Sequence, residues 1–94
     1  MKLWKIEQHE NGDYDTYDSA VVALETSEEA KHFHPSEFYR WGSDEWEHGY
    51  SDGRWEGEGR LTHNWTDPDN VSVSLIGEAA DGVNGLICAS FNAG

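Results

Sequence analysis

The sequence predicts a small α+β domain with a mostly antiparallel sheet and one short covering helix, in the order β-β-α-excursion-β-β. Three observations support this prediction. Apolar and polar residues alternate near both ends of the chain, a helix-capping motif follows the second apolar segment, and the middle of the chain has no period. A chain of 94 residues is too short for two hydrophobic cores, so residues 1–94 are expected to form a single domain.

The first two strands are predicted at residues 2–8 and 19–25, joined by a hairpin loop over residues 9–18. In the first strand, Trp4 and Ile6 share one face, which is the two-residue period of a strand. The second is a short apolar run with two adjacent β-branched valines, typical of a strand with a buried face.

A short helix is predicted to begin at Thr26. Its hydroxyl oxygen can accept a hydrogen bond from the backbone of Glu29, three residues on, as in a capping box. Pro35 disfavours helical geometry at the residue before it, so the helix is expected to be short. We expect Phe33 from this region and Trp4 from the first strand to lie in the core.

The last two strands are predicted at residues 71–76 and 86–91. Three apolar side chains of the first of these segments share one face: Val71, Val73 and Leu75. The second segment is apolar and contains Cys88, which we interpret as a small core residue rather than a nucleophile.

Between the helix and the last two strands lies an excursion, residues 36–70, rich in glycine, tryptophan and acids. An irregular loop of this length is unusual in a compact domain. We therefore expect part of it, centred on residues 41–65, to form an extra helical turn or a hairpin, or to become ordered on a partner.

The charge of the chain limits the kinds of molecule that it can bind. Six Lys and Arg against nineteen Asp and Glu give a net charge of −13. A surface this acidic repels phosphate backbones and anionic lipids, which argues against direct binding to nucleic acid or to a membrane surface. The single cysteine, and the lack of an apolar N-terminal segment or membrane-spanning run, predict a cytoplasmic protein.

No metal, cofactor or catalytic motif stands out. His32 and His34 form an H-x-H pair, but at a helix end the two rings point in different directions, and no further ligand has a recognised zinc spacing. Asp13, Asp15 and Asp18 suggest a hard cation, yet the glycine and glutamate of an EF-hand loop are missing. We expect a protein without enzymatic activity, metal or cofactor.

The strongest functional signal is the acidic, aromatic part of the excursion. Tryptophan and tyrosine are favoured interface anchors, and carboxylates steer a basic partner towards them. The predicted partner-binding residues are Trp41, Asp44, Glu45, Trp46, Glu47, Tyr50, Asp52, Trp55, Glu56 and Glu58. The competing interpretation is a solvated acidic loop whose tryptophans fold back to complete a small core.

Two segments, DTYDSAVVALETSEEAKHFHPS and the C-terminal LICASFNAG, resemble small uncharacterised proteins of bacteria and their phages. The resemblance covers roughly the first third and the last quarter of the chain. It implies a bacterial or phage cytosolic origin and brings no catalytic residues with it.

The sequence thus favours an acidic protein-binding module that occupies a basic surface of a partner. A phage-type inhibitor of a nucleic-acid-binding defence protein, such as an anti-CRISPR or another mimic of DNA charge, would be one instance. Two alternatives are a module that binds a small ligand or a metal through the Trp and His residues of the excursion, and a structural subunit.

Overall fold

The computed structural model describes residues 1–12, 14–60, 62 and 64–92. Within these residues the chain forms two antiparallel sheets, one short α-helix and one 3-10 turn. In chain order they are β1 (Lys2–Glu7), β2 (Thr16–Leu24), α1 (Ser27–Lys31), β3 (Tyr39–Trp41), β4 (Trp46–Gly49), β5 (Trp55–Gly59), the 3-10 turn (Pro68–Asn70), β6 (Ser72–Glu78) and β7 (Gly85–Asn92). The predicted α+β class is confirmed.

Sheet A has the strand order β6-β1-β2-β7, with the β1–β2 hairpin in the middle. Trp4 pairs with Val22 and Ile6 with Ala20, so the predicted alternation of β1 sets which side chains face the core. β2 begins three residues earlier than predicted, because its first residues pair with the end of β7. The connecting turn ends at Asp15, which adopts a left-handed conformation (φ 61°) that aspartate tolerates.

One residue of the predicted acidic turn, Asp13, lies outside the described residues. Asp15 and Asp18 are both exposed, as expected for a solvated turn and the strand that follows it.

The helix is capped as predicted. The Thr26 hydroxyl oxygen accepts the backbone N–H of Glu29 at 3.2 Å, and the hydroxyl lies 3.2 Å from the Glu29 carboxylate. Ala30 is fully buried, while Phe33 and Trp4 are half-buried and pack against the core. No helix in the described part of the chain is long and apolar enough to cross a membrane.

The core lies between sheet A and a second layer made of α1, sheet B (strand order β3-β4-β5) and the segment around the 3-10 turn. Its buried apolar residues are Ile6, Ala20, Val22, Ala30, Trp46, Trp65 and Val71. Two of these are tryptophans of the excursion, and both are fully buried. The excursion therefore forms a second sheet that helps to build the core.

Val73 and Leu75 pair with Ile6 and Trp4, so they share one face as predicted, although Leu75 is 56% exposed. One expectation about the last strands is wrong. Cys88 is exposed rather than buried. It pairs with Val21, and Val21 points away from the face on which Ala20 and Val22 meet the core.

Candidate functional site

Sheet B has two faces with different chemistry. β3 and β4 pair Tyr39 with His48 and Arg40 with Glu47, and β4 and β5 pair Gly49 with Trp55. Because side chains alternate along a strand, Tyr39 and His48 lie on the face that joins the core. Arg40, Glu47 and Trp55 lie on the opposite face, which we call the outer face.

The outer face carries a fixed stack of charged and aromatic groups. Arg40 Nε donates to Glu47 Oε1 at 2.7 Å, and the guanidinium carbon lies 4.1 Å from the centre of the Trp55 ring. The ring rests on Gly49, where an added Cβ would come within 2.9 Å of it. Trp55 remains 42% exposed. The result is a half-exposed tryptophan held between an arginine and a glycine.

The other two arginines of the chain are also paired and stacked. Arg54 contacts Asp52 at 2.7 Å and lies over the Tyr50 ring. Arg60 contacts Asp67 at 3.2 Å and Asp69 at 2.8 Å. The three arginines therefore neutralise acids of the chain itself.

Four of the predicted acids have no ion pair within the described part of the chain: Asp44, Glu45, Glu56 and Glu58. Glu56 and Glu58 lie on β5, the edge strand of sheet B, and all five residues of this strand are exposed. Glu58 is the extra residue of a bulge opposite Trp46 and Glu47, yet both carboxylates lie near Tyr50, since the charge of each raises the pKa of that tyrosine. They form a short row of negative charge at a free sheet edge.

This row acts on two tyrosines. The Tyr50 hydroxyl donates to Glu56 Oε2 at 3.0 Å, and this hydrogen bond, together with the carboxylate charge, raises the pKa of Tyr50 above its ordinary value of 10.0. Burial, with a smaller contribution from the charge of Glu58, raises the pKa of Tyr39. Both shifts favour the neutral phenol.

We therefore expect stability to fall in alkali. The native state holds these two protons more tightly than the unfolded chain does, so the stabilisation is complete below pH 10 and is lost as the pH rises through the raised values. Glu58→Gln should lower the pKa of Tyr39, measured by tyrosinate absorbance with Tyr39→Phe to assign the transition. Glu25→Gln, which removes an acid outside sheet B, serves as the control. An unchanged titration in Glu58→Gln would contradict the proposed charge effect.

A hollow of about 670 Å³ lies at the turn between β3 and β4. Its lining includes four of the predicted partner-binding residues: Trp41, Asp44, Glu45 and Glu47. Glycines make room for two of the carboxylates, since an added Cβ at Gly57 would overlap the Glu45 carboxylate and one at Gly42 would lie 3.0 Å from that of Glu47. The acidic turn and its hollow are therefore built partly by glycine.

A second, more aromatic cleft of about 450 Å³ lies between the end of α1 and β3. Its lining residues are His32, Phe33, His34, Glu37, Tyr39, Arg40 and Trp41. His34 is buried, its ring stacks on Tyr39 with centroids 4.4 Å apart, and its Nδ1 accepts the Ser36 N–H at 3.1 Å. These contacts give His34 a structural role in the wall of the cleft.

The structure places nine of the ten predicted site residues in two groups, and it places the tenth, Trp46, in the core. Trp41, Asp44, Glu45 and Glu47 surround the hollow, whereas Tyr50, Asp52, Trp55, Glu56 and Glu58 lie on or beside β5. Trp46 is fully buried and its indole N–H donates to the Thr66 carbonyl at 2.8 Å, so its ring is a core contact and unavailable to a partner. Carboxylates that bind a partner are expected to be exposed, but Glu45 and Glu47 are half-buried.

Sequence reasoning did not identify Arg40 and Gly49, which hold Trp55 in place. The available signal was the alternation in YRW, WEHG and WEGEG. It was obscured because glutamate and glycine are depleted in strands and each segment is short.

Among the described residues, no group of three or more His, Cys, Asp or Glu side chains is arranged to hold a metal ion. Comparisons with protein-family models, with curated proteins and with solved structures give no match. The chemistry of sheet B is therefore the basis for a functional proposal.

Proposed function

We propose that this protein is a non-enzymatic, acidic binding protein of the cytoplasm that places sheet B against a basic surface of another protein. The observation that carries the proposal is the set of four acids without an ion pair, described above, beside arginines that are all occupied internally. Cations for these four carboxylates would come from a partner.

The charge pattern supports fast, steered association. Carboxylates on an exposed edge strand and an adjoining turn attract a basic surface over roughly 10 Å at 0.1 M salt. Sheet B contributes to this field on a chain whose net charge is −13. The same field opposes direct contact with nucleic acid and favours a basic protein surface. Proteins that bind nucleic acid carry such surfaces, so the proposed partner is one of these.

The aromatic residues support specific contact after encounter. Trp55 and Tyr50 are 42% and 37% exposed, and each has an arginine stacked on its ring. Tryptophan, tyrosine and arginine dominate the energetics of protein interfaces. Rings already held in place lose little conformational entropy on binding. For a protein of bacterial or phage origin, we propose inhibition of a nucleic-acid-binding defence protein as the biological setting.

The alternative of a small-ligand module rests on the aromatic cleft beside α1. Its wall of rings suits a flat apolar ligand. Such binding would depend on Trp41 and Tyr39 and would be insensitive to salt, which separates it from the leading proposal.

The test is a variant with four amides, Asp44→Asn, Glu45→Gln, Glu56→Gln and Glu58→Gln. Glu47 stays, because removing it would leave Arg40 without its partner. The immobilised wild type should capture a basic nucleic-acid-binding protein from bacterial lysate at low salt and lose most of it near 0.5 M, where screening is strong. The variant should capture little, and added nucleic acid should compete with the wild type.

A matched control changes four exposed acids outside sheet B: Glu10, Glu25, Glu78 and Asp81. It removes the same charge and should still capture the partner. Equal capture by both variants and the wild type would contradict the proposed site. Loss in both would show that net charge alone is responsible, and capture that nucleic acid does not reduce would exclude charge mimicry.

A further inference from the structure

β7 is an edge strand that the rest of the fold leaves unusually uncovered. It pairs with β2 on one side, and no strand of the described chain pairs with its other side. Residues 87–92 are exposed in succession, so both faces of this stretch as well as one edge meet solvent. Ile87 and Phe91 are each 46% exposed.

β7 also differs from the other strands in charge. Residues 82–94 contain no charged side chain, and each of the other strands carries at least one. Natural edge strands are usually protected by charge or proline, and β7 has neither. A register shift opposite Val21 and Val22 leaves Ile87 as an extra residue of a β-bulge. The five residues that follow it, Cys88 to Asn92, pair with β2 again.

We propose that β7 is a self-association surface on which the occupant is a second copy of this chain, paired antiparallel about a two-fold axis. Such pairing is self-complementary, because one strand supplies both sides of the interface. It would join two four-stranded sheets into one of eight strands, with backbone hydrogen bonds across the new edge. The exposed Ile87 and Phe91 would then gain cross-strand neighbours.

The distribution of charge favours β7 over the other sheet edges as the place where two copies meet. Two copies that each carry −13 repel one another over most of their surfaces. The opposite edge, β6, contains Glu78 and lies beside α1 with its Glu28 and Glu29. The acids beside β7 are Asp18, at a bulge between Tyr17 and Ser19, and Asp15, whose backbone N–H donates to the Asn92 carbonyl at one end of the strand. The uncharged strand is therefore where two copies approach at the lowest electrostatic cost.

A second copy explains the pattern better than a charged partner does. A basic partner, as proposed for sheet B, would gain nothing from an uncharged edge. The inference is independent of the proposed function, since it uses another sheet and the opposite dependence on salt.

The test measures the dimerisation constant of the full chain by analytical ultracentrifugation under reducing conditions. We expect a concentration-dependent dimer that strengthens as salt rises from about 0.05 M to 0.5 M, because screening relieves repulsion between the copies. Ser90→Glu should weaken it about ten-fold or more, since each copy then brings a negative charge to an edge that otherwise carries none. Ser74→Glu adds the same charge to β6, on the same side of sheet A, and should leave the dimer intact.

Cross-linking through Cys88 provides a second measurement of the dimer, because this residue is exposed and lies in the middle of β7. In an antiparallel pair its sulfur comes within reach of its counterpart, so a short bis-maleimide should cross-link the wild type and not Cys88→Ala. Cross-linking should fall in Ser90→Glu. A chain that stays monomeric at every concentration and salt, a dimer that salt dissociates, or one lost in Ser74→Glu and kept in Ser90→Glu would each overturn the proposal.

Discussion

Replacing Trp46 with alanine should destabilise the domain by about 3–5 kcal/mol, the usual cost of removing a large buried aromatic side chain. The ring has no exposed surface and makes edge contacts with His34 and Trp41. The change also leaves the Thr66 carbonyl without the indole N–H that it accepts. Domains of this size have about 5–15 kcal/mol in total, so much of the native state should be lost. Urea denaturation measures the effect.

Trp55→Ala is the matched control, since it removes the same side chain from the outer face of sheet B. Its ring is 42% exposed, so its loss should cost much less. If both variants lost equal stability, the assignment of Trp46 to the core and Trp55 to the surface would be wrong.

The second large effect is expected at Gln8, a buried side chain that ties the β1–β2 turn together. Its Nε2 donates to the carbonyls of Asn11 and Tyr17 at 2.8 Å each, and its Oε1 accepts the Asn11 N–H at 2.8 Å. Gln8→Ala should cost about 2–4 kcal/mol, because it removes three hydrogen bonds and leaves partly buried backbone groups unsatisfied. Chemical denaturation, with hydrogen exchange at the Asn11 amide, measures this loss.

Gln8→Met separates packing from hydrogen bonding, since it keeps most of the volume and none of the polar contacts. It should lose nearly as much stability as Gln8→Ala. A methionine variant as stable as the wild type would show that these hydrogen bonds contribute little.

Local signals in the sequence predicted the parts of the fold that depend on neighbouring residues. The capping box at Thr26 depends on residues three apart, and the alternation of β1 depends on residues two apart. Both features are visible in the sequence, and both predictions are confirmed. β2 begins earlier than its local pattern predicts, because pairing with a strand about 75 residues away extends it.

The distinction between local and long-range contacts also explains which parts of the candidate site the sequence could not predict. Trp46 and Trp55 both occur in short alternating segments next to glutamate, so local pattern does not show which of them faces the core. Their difference comes from tertiary packing. Trp46 meets Thr66 and His34, whereas Trp55 lies on Gly49 beneath Arg40. The alternation in β1 predicts Gln8 only as the end of a strand, because its hydrogen bonds depend on where the next turn folds.

The strand order of sheet A has a consequence for how the chain folds. β6 and β7 are consecutive in sequence, yet they lie at opposite edges, on either side of the β1–β2 hairpin. Trp4 pairs with Leu75 and Val21 with Cys88, separations of 75 − 4 = 71 and 88 − 21 = 67 residues. The hairpin and sheet B join residues close in sequence and close their loops at low entropic cost.

The β1–β6 and β2–β7 pairings of sheet A join segments that are far apart in sequence. Because such contacts form slowly, we expect the folding rate to lie towards the millisecond-to-second range of small domains. The hairpin edge beside β1 therefore stays unpaired until β6 forms, and the edge beside β2 stays unpaired until β7 forms. Residues 79–84 must carry the chain from one edge of sheet A to the other before the sheet is complete.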